Sequence, residues 1–268
     1  MTQATPYTVR KLHNSVYSLY EQTDVFCYLL VGEKSALLYD TTFGVFDLAA
    51  EVRAITPLPV EVVLSHGHYD HVNGAYQLGG GYIHPADEVL CYKHAGRTCR
   101  RWSLDDDYFS TLIPPELDRE AYIHAGAGKL THVLPGHTFD LGGMTAEVVA
   151  LEGHTAGSIG LLIPRHRILL ASDALGPHPW LFLRESLPLP QYLSMLQRVQ
   201  TLPFDTFYIG HSDQPRPRAE IALYEKVARN IDPARATPYP RLPELGGFIY
   251  EEEHNGESVG IVYHPDKL

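Results

Sequence analysis

Val60-Glu61-Val62-Val63-Leu64-Ser65-His66-Gly67-His68-Tyr69-Asp70-His71 is the stretch on which the reading of this chain turns. Val60 to Leu64 is a short apolar run, the pattern of a buried strand. It leads straight into His66, His68, Asp70 and His71, four potential metal ligands within six residues. Ligands two apart in an extended loop can converge on one ion. Asp70 and His71, just beyond, can turn toward a second. Gly67 lets the backbone bend between the first two histidines. The bland alternative is a solvated polar loop, and H-x-H-x-D-H at a strand end is too specific a pattern to favour it.

Further along, the chain supplies what one loop cannot. His154 lies in Glu152-Gly153-His154-Thr155-Ala156-Gly157-Ser158, after the strand-like run Thr145 to Leu151. Asp173 follows the run Ile168 to Ala171, and His211 follows Thr206 to Ile209. Each sits in the first residues after a predicted strand, where open α/β sheets place their sites.

The surrounding pattern predicts an α/β chain forming one domain over 1–268. Runs at 7–12, 16–20, 25–31 and 36–39 read as strands, with a turn at Gly32-Glu33-Lys34. Residues 46–55 and 86–94 read as helices and 82–84 as a strand. Residues 96–125 are polar, lack a clear period and read as an insertion or lid. Residues 189–201 and 217–231 have helical spacing. The segment 213–268 reads as a C-terminal helix and a hairpin turning at Asn255-Gly256.

Composition narrows the function classes. The 268 residues are 44% apolar, enough for a sizeable core, and carry a net charge of −11. That charge suits neither nucleic acid nor an anionic membrane surface, so the expected partner is a small molecule. The first 20 residues show no apolar signal-peptide core, and no run is long enough to span a membrane. Cys27, Cys91 and Cys99 form no C-x-x-C pair. These features predict a reduced, cytoplasmic protein.

The ordered motifs His66-x-His68-x-Asp70-His71, Gly153-His154-Thr155, Ser172-Asp173 and Gly210-His211 resemble those of metallo-β-lactamase-fold hydrolases of the glyoxalase II-like kind. The resemblance runs from Asp40-Thr41 to the final helix. It implies a four-layer αββα sandwich, here with a helical insertion and an extra C-terminal helix. It implies that His66, His68 and His154 hold one divalent ion, that Asp70, His71 and His211 hold a second, and that Asp173 bridges them. Zinc suits this nitrogen and oxygen set, with iron or manganese also accommodated. Two such ions would share a hydroxide that attacks a small ester, thioester or lactone, with Asp70 orienting the water. Asp40 would buttress a ligand histidine. Homodimerisation is a further expectation.

Two positions depart from the family pattern. Thr42 stands where Asp-Thr-Gly is common, and Ser172 where Gly-Asp is common. Phosphodiester hydrolysis, a persulfide dioxygenase-like iron chemistry and weak β-lactamase activity are the alternatives within the resemblance; a non-catalytic metal-holding sensor is the alternative outside catalysis. His178, Trp180 and Tyr69 are candidate substrate contacts. Arg97, Arg100 and Arg101 read as a solvated basic face before an anion site. His84 and His137 read as structural, and His94 as an ordinary surface or turn residue.

Overall fold

A computed structural model describes residues 7–106 and 109–268. The first sheet contains β1 (Tyr7–His13), β2 (Val16–Glu21), β3 (Val25–Val31), β4 (Ala36–Tyr39), β5 (Val60–Val63), β6 (Gly80–Ile83) and β7 (Lys129–His132), in that order. Hairpins make β1 to β4 antiparallel, and crossovers make β4 to β7 parallel. Next in the chain come β8 (Thr138–Asp140), β9 (Thr145–Ala150), β10 (Ile159–Ile163), β11 (Ile168–Ser172), β12 (Trp180–Leu181), β13 (Thr206–Ile209), β14 (Ser212–Pro217), β15 (Thr237–Pro238), β16 (Phe248–His254) and β17 (Glu257–Tyr263). The second sheet runs β14-β13-β11-β10-β9-β8. A third, smaller sheet runs β12-β17-β16-β15.

The helices are α1 (Leu48–Ile55), α2 (Tyr69–Val72), α3 (Glu88–His94), α4 (Arg97–Asp105), α5 (Arg119–His124), α6 (Leu189–Val199) and α7 (Glu220–Arg229). Asp47 caps α1 by accepting from Ala50 N at 2.8 Å, and Asp118 caps α5 from Ala121 N at 3.0 Å.

Burial explains the layering. Tyr28, Leu30, Leu37 and Val63 of the first sheet meet Val148, Leu161, Ile163 and Leu170 of the second in one apolar cluster. The opposite face of the first sheet packs Leu38 and Val62 against Leu48, Val52 and Cys91 of α1 and α3. The opposite face of the second packs Leu162 and Leu169 against Tyr192, Leu196, Tyr224 and Val227 of α6 and α7. Both sheets therefore bury both faces, which accounts for their near-continuous apolar strands. The result is the αββα sandwich. Tyr250, Ile261 and Tyr263 of the third sheet join the α6–α7 side.

Two expectations needed correction, and a third was met. The motif loop is not wholly extended: His68 precedes the one-turn helix α2, which carries Asp70 and His71. Residues 212–217 extend the second sheet as β14, so the final helix starts later than its proline suggests. The expected helical insertion is present as α4 and α5. Its period is hidden because α4 buries Arg100 and Ser103 beside Leu104.

Arg100 is fully buried, so it belongs neither to a solvated face nor to an exposed anion site. Its guanidinium lies 4.5 Å and 5.1 Å from the ring centres of Tyr122 and Tyr76. It donates to the carbonyls of Ala95, Asn73 and Gly126 at 2.9, 2.7 and 2.7 Å, and so ties the insertion to the end of α2.

Candidate metal centre

Five strand ends build the site. Asp40 follows β4, His66 and His68 follow β5, His154 follows β9, Asp173 follows β11 and His211 follows β13. The two sheets are locked together beside it. Ile159 N donates to Ser65 O at 2.8 Å, Tyr39 Oη to Ile159 O at 2.7 Å, and Tyr28 Oη to Ile209 O at 2.7 Å. The pairing of β11 with β13 slips one residue between Leu170 and Ser172, a bulge that re-aims the chain just before Asp173.

All seven residues singled out as ligands come together. His66 Nε2 and His154 Nε2 each lie 3.0 Å from His68 Nδ1. His71 Nε2 is 3.4 Å from an oxygen of Asp70 and 3.4 Å from Asp173 Oδ1. Asp173 Oδ2 is 3.3 Å from His211 Nε2 and 3.8 Å from His154 Nε2. Asp173 thus faces both groups. The potential ligand atoms of His66, His68 and His154 lie within 4.8 Å of one another, as do those of His66, His71 and Asp173, and those of Asp70, His71 and His211.

Two observations fit this cradle to cations. His71 Nε2 and Asp173 Oδ1 are buried at its centre, 3.4 Å apart and without a hydrogen-bond partner, a costly state that a cation between them would relieve. The outer nitrogens of the rings are also anchored. His71 Nδ1 donates to Asp40 at 3.0 Å, His154 Nδ1 to Trp180 O at 3.0 Å and His211 Nδ1 to Asp24 O at 2.7 Å. His66 Nδ1 lies 2.8 Å from Ser65 Oγ. Such bonds orient imidazoles and leave their inner lone pairs for an ion.

Electrostatics divides the cluster. Burial and neighbouring histidines hold His66 below its ordinary pKa, and burial beside His68 lowers His154 to about 4. Burial opposes charge on His211 as well, but Asp173 and Asp70 outweigh it and push that ring up to about 9. The same carboxylates raise His71. Burial works against ionising Asp70, yet His71 and His211 bring it down to about 2.

Asp40 organises the floor. Its Oδ1 accepts from Ser65 N at 2.7 Å, and its Oδ2 from Ser65 Oγ and Ser172 Oγ at 2.8 Å each, besides His71. Ser172 and Thr42, the two departures from the family pattern, both adopt positive φ, 47° and 56°. The glycine-like turns are thus kept despite the side chains, and the Ser172 hydroxyl offsets part of its strain by bonding Asp40. Gly210 is required by crowding: a Cβ there would come within 2.3 Å of Asp173 Oδ1. Gly67 serves close packing on α3 and not a special bend, since its Cβ would lie 2.8 Å from Cys91 N and its φ is not positive.

The candidate substrate residues fare differently. Tyr69 packs among Phe43, His94, Trp102 and Phe109, with ring centres 5.3 to 6.4 Å away. Trp180 presents its carbonyl to His154, while its ring meets Phe182 and Tyr239 edge to face. His178 turns to the third sheet, 3.0 Å from Glu251 and 3.3 Å from Ser258. His94 is no ordinary surface residue. It stacks on His68 at 5.3 Å, its Nδ1 is buried without a hydrogen-bond partner, and burial beside His68 lowers it to about 4.

Sequence reasoning missed two carboxylates. Asp87, buried, accepts from Gly67 N at 2.9 Å, Thr155 Oγ1 at 2.7 Å and Gly157 N at 2.8 Å, and so joins the two histidine loops. Glu185 Oε1 lies 2.8 Å from His68 Nε2. Neither has a motif around it that could have signalled the contact.

With this geometry in hand, comparison with known proteins is informative. Residues 21–211 match the family model of the metallo-beta-lactamase superfamily. The chain belongs to that superfamily, and the histidine-rich cluster described above lies within or at the end of the matched region. A hydroxyacylglutathione hydrolase of Ruegeria pomeroyi is 28% identical over 193 residues, 69% of this chain and 64% of that protein. A human acyl-coenzyme A thioesterase is 26% identical over 117 residues, 44% of this chain and 42% of that protein. The chain thus matches less than two thirds of either relative's length. Among solved structures, a metallo-beta-lactamase from Pontibacter korlensis superposes with a TM-score of 0.59 at 16% identity, covering 84% of this chain and 100% of that one. A sec-alkylsulfatase from a Pseudomonas species gives 0.63 at 13% identity, covering 83% and 42%. These two likenesses concern the fold. Among the described residues, no helix is long and apolar enough to cross a membrane.

Proposed function

We propose that this protein hydrolyses a small thioester, ester or lactone with two divalent metal ions, zinc foremost. His66, His68 and His154 would hold one ion, Asp70, His71 and His211 the other, and Asp173 both. The observation that carries the reading is the convergence of these seven side chains around the unpartnered His71 Nε2 and Asp173 Oδ1. When bound, such ions polarise a carbonyl oxygen and lower the pKa of water toward neutrality. Thioesters lead because the curated relatives are a hydroxyacylglutathione hydrolase and an acyl-coenzyme A thioesterase.

The protein's own residues would do the rest. Asp70, held ionised and partly exposed, accepts a hydrogen bond and so orients the attacking water. Asp40 and Ser172 keep His71 in place. Tyr69, His94 and the half-exposed Trp102 form an aromatic wall beside His68, a surface suited to an apolar acyl group.

The test is a panel of an acyl thioester, a lactone and bis-p-nitrophenyl phosphate, assayed with metal content measured on the same samples. Thioester turnover that rises with bound metal is the expected result. Turnover confined to the phosphodiester would replace the substrate class. No turnover on the whole panel with metal bound would overturn the catalytic reading.

A further inference from the structure

We infer that Glu185 is a positioning residue for His68, selecting which ring nitrogen that histidine turns to the cluster. The inference rests on the proposed metal site. His68 is reversed relative to its companions: it directs Nδ1 inward, whereas His66, His71, His154 and His211 direct Nε2. Its proton must therefore sit on Nε2 if Nδ1 is to donate a lone pair. Glu185 Oε1 lies 2.8 Å from that Nε2. An ionised carboxylate only accepts, so the contact is made by the Nε2–H tautomer and by no other neutral form.

The surroundings make this contact a built one. His94 stacks on the same ring at 5.3 Å and 26°, so His68 is held on its face by His94 and at its outer edge by Glu185. The backbone around Glu185 is tied down. Leu187 N donates to Gly153 O at 2.8 Å, and Ser186 Oγ donates to His154 O at 2.8 Å. From the C-terminal segment, Lys267 Nζ donates to the carbonyls of Arg184 and Ser186. One loop thus seats two histidines of the same group. Its anchor also differs from the others. Ser65 and Asp40 are sealed in the interior, and Asp24 and Trp180 contribute backbone carbonyls. Glu185 is a side chain with 26% of its surface exposed.

Glu185→Gln tests this without changing size, because an amide can donate to Nε2 as well as accept and so no longer selects a tautomer. Zinc affinity of the full chain is measured by competition with a chromophoric chelator, and histidine tautomers by nitrogen-15 NMR on the chelator-treated protein. The expected result is a roughly 10–100-fold weaker zinc affinity at the His68 group. His68 should be Nε2-protonated in the parent and mixed in the variant. Glu185→Asp, which still only accepts, should recover part of the affinity. Parent-like zinc affinity in Glu185→Gln, or a parent His68 protonated on Nδ1, would overturn the inference. So would an affinity loss matched by an equal fall in the Tm of the chelator-treated variant, which marks a folding effect. If the parent binds no zinc, the metal reading fails, and the tautomer comparison still decides the role of Glu185.

Discussion

His66 and His154 are held toward the neutral form, whereas Asp70, His71, His211 and Asp173 hold one another toward the charged form. In the first, burial drives His66 and His154 away from protonation, so their lone pairs stand ready for an ion. In the second, two carboxylates hold His71 and His211 toward the cationic form, so an arriving metal must displace protons but also meets negative charge. The difference teaches that one cluster uses two routes to cation affinity: preorganised neutral donors on one side and Coulomb attraction on the other. Asp173 faces both groups and couples them.

Breaking the charged side should have the largest effect. Asp70→Ala is expected to lower kcat by about 10²–10⁴-fold while leaving one metal per chain on His66, His68 and His154. Steady-state kinetics and metal analysis on the same sample check it, and unchanged turnover would refute the role given to Asp70. Crowding the junction comes next. Gly210→Ala pushes a methyl into Asp173 and should weaken metal binding by about 10–100-fold, read by chelator competition.

Removing metal from both sides sharpens the comparison as a whole. At a free zinc concentration about 100 times Kd, each bound ion adds about 2.7 kcal/mol, so chelation of both should lower Tm by roughly 10–20 °C. A Tm indifferent to chelator would mean that the cluster holds no ion at that concentration. The smallest effect is expected at the floor. Ser172→Gly loses the bond to Asp40 but relieves the positive φ, so denaturant-measured stability should move by less than about 1 kcal/mol. Ser172→Ala keeps the strain and loses the bond, and should cost about 1–2 kcal/mol.

Much of this cluster is legible along the chain because most of its members directly follow a strand. A strand ends in one direction and side chains just past it face a common edge, so His66, His68, His154, Asp173 and His211 can be picked out one by one. The insertion is not legible in the same way. The buried face of α4 contains Arg100 and Ser103, and Arg100 is buried only because Tyr76 and Tyr122 bracket it. The displacement of His178 is equally hidden, since it depends on β12 pairing with β17, 82 residues apart at the Trp180–Val262 pair.

By itself, the sequence determined an α/β chain and the identity of the seven converging side chains, because strand periodicity and ligand chemistry are local properties; the αββα layering followed from the resemblance of the ordered motifs to the metallo-β-lactamase fold. Beyond Asp40, the tertiary structure alone decided the supports. Glu185 and His94 meet His68 from far along the chain, and Asp87 ties the loop of His66 and His68 to that of His154. Their roles arise only where burial and hydrogen-bond geometry meet, since a carboxylate or an imidazole carries no mark in the chain of what it will face once the sheets have closed.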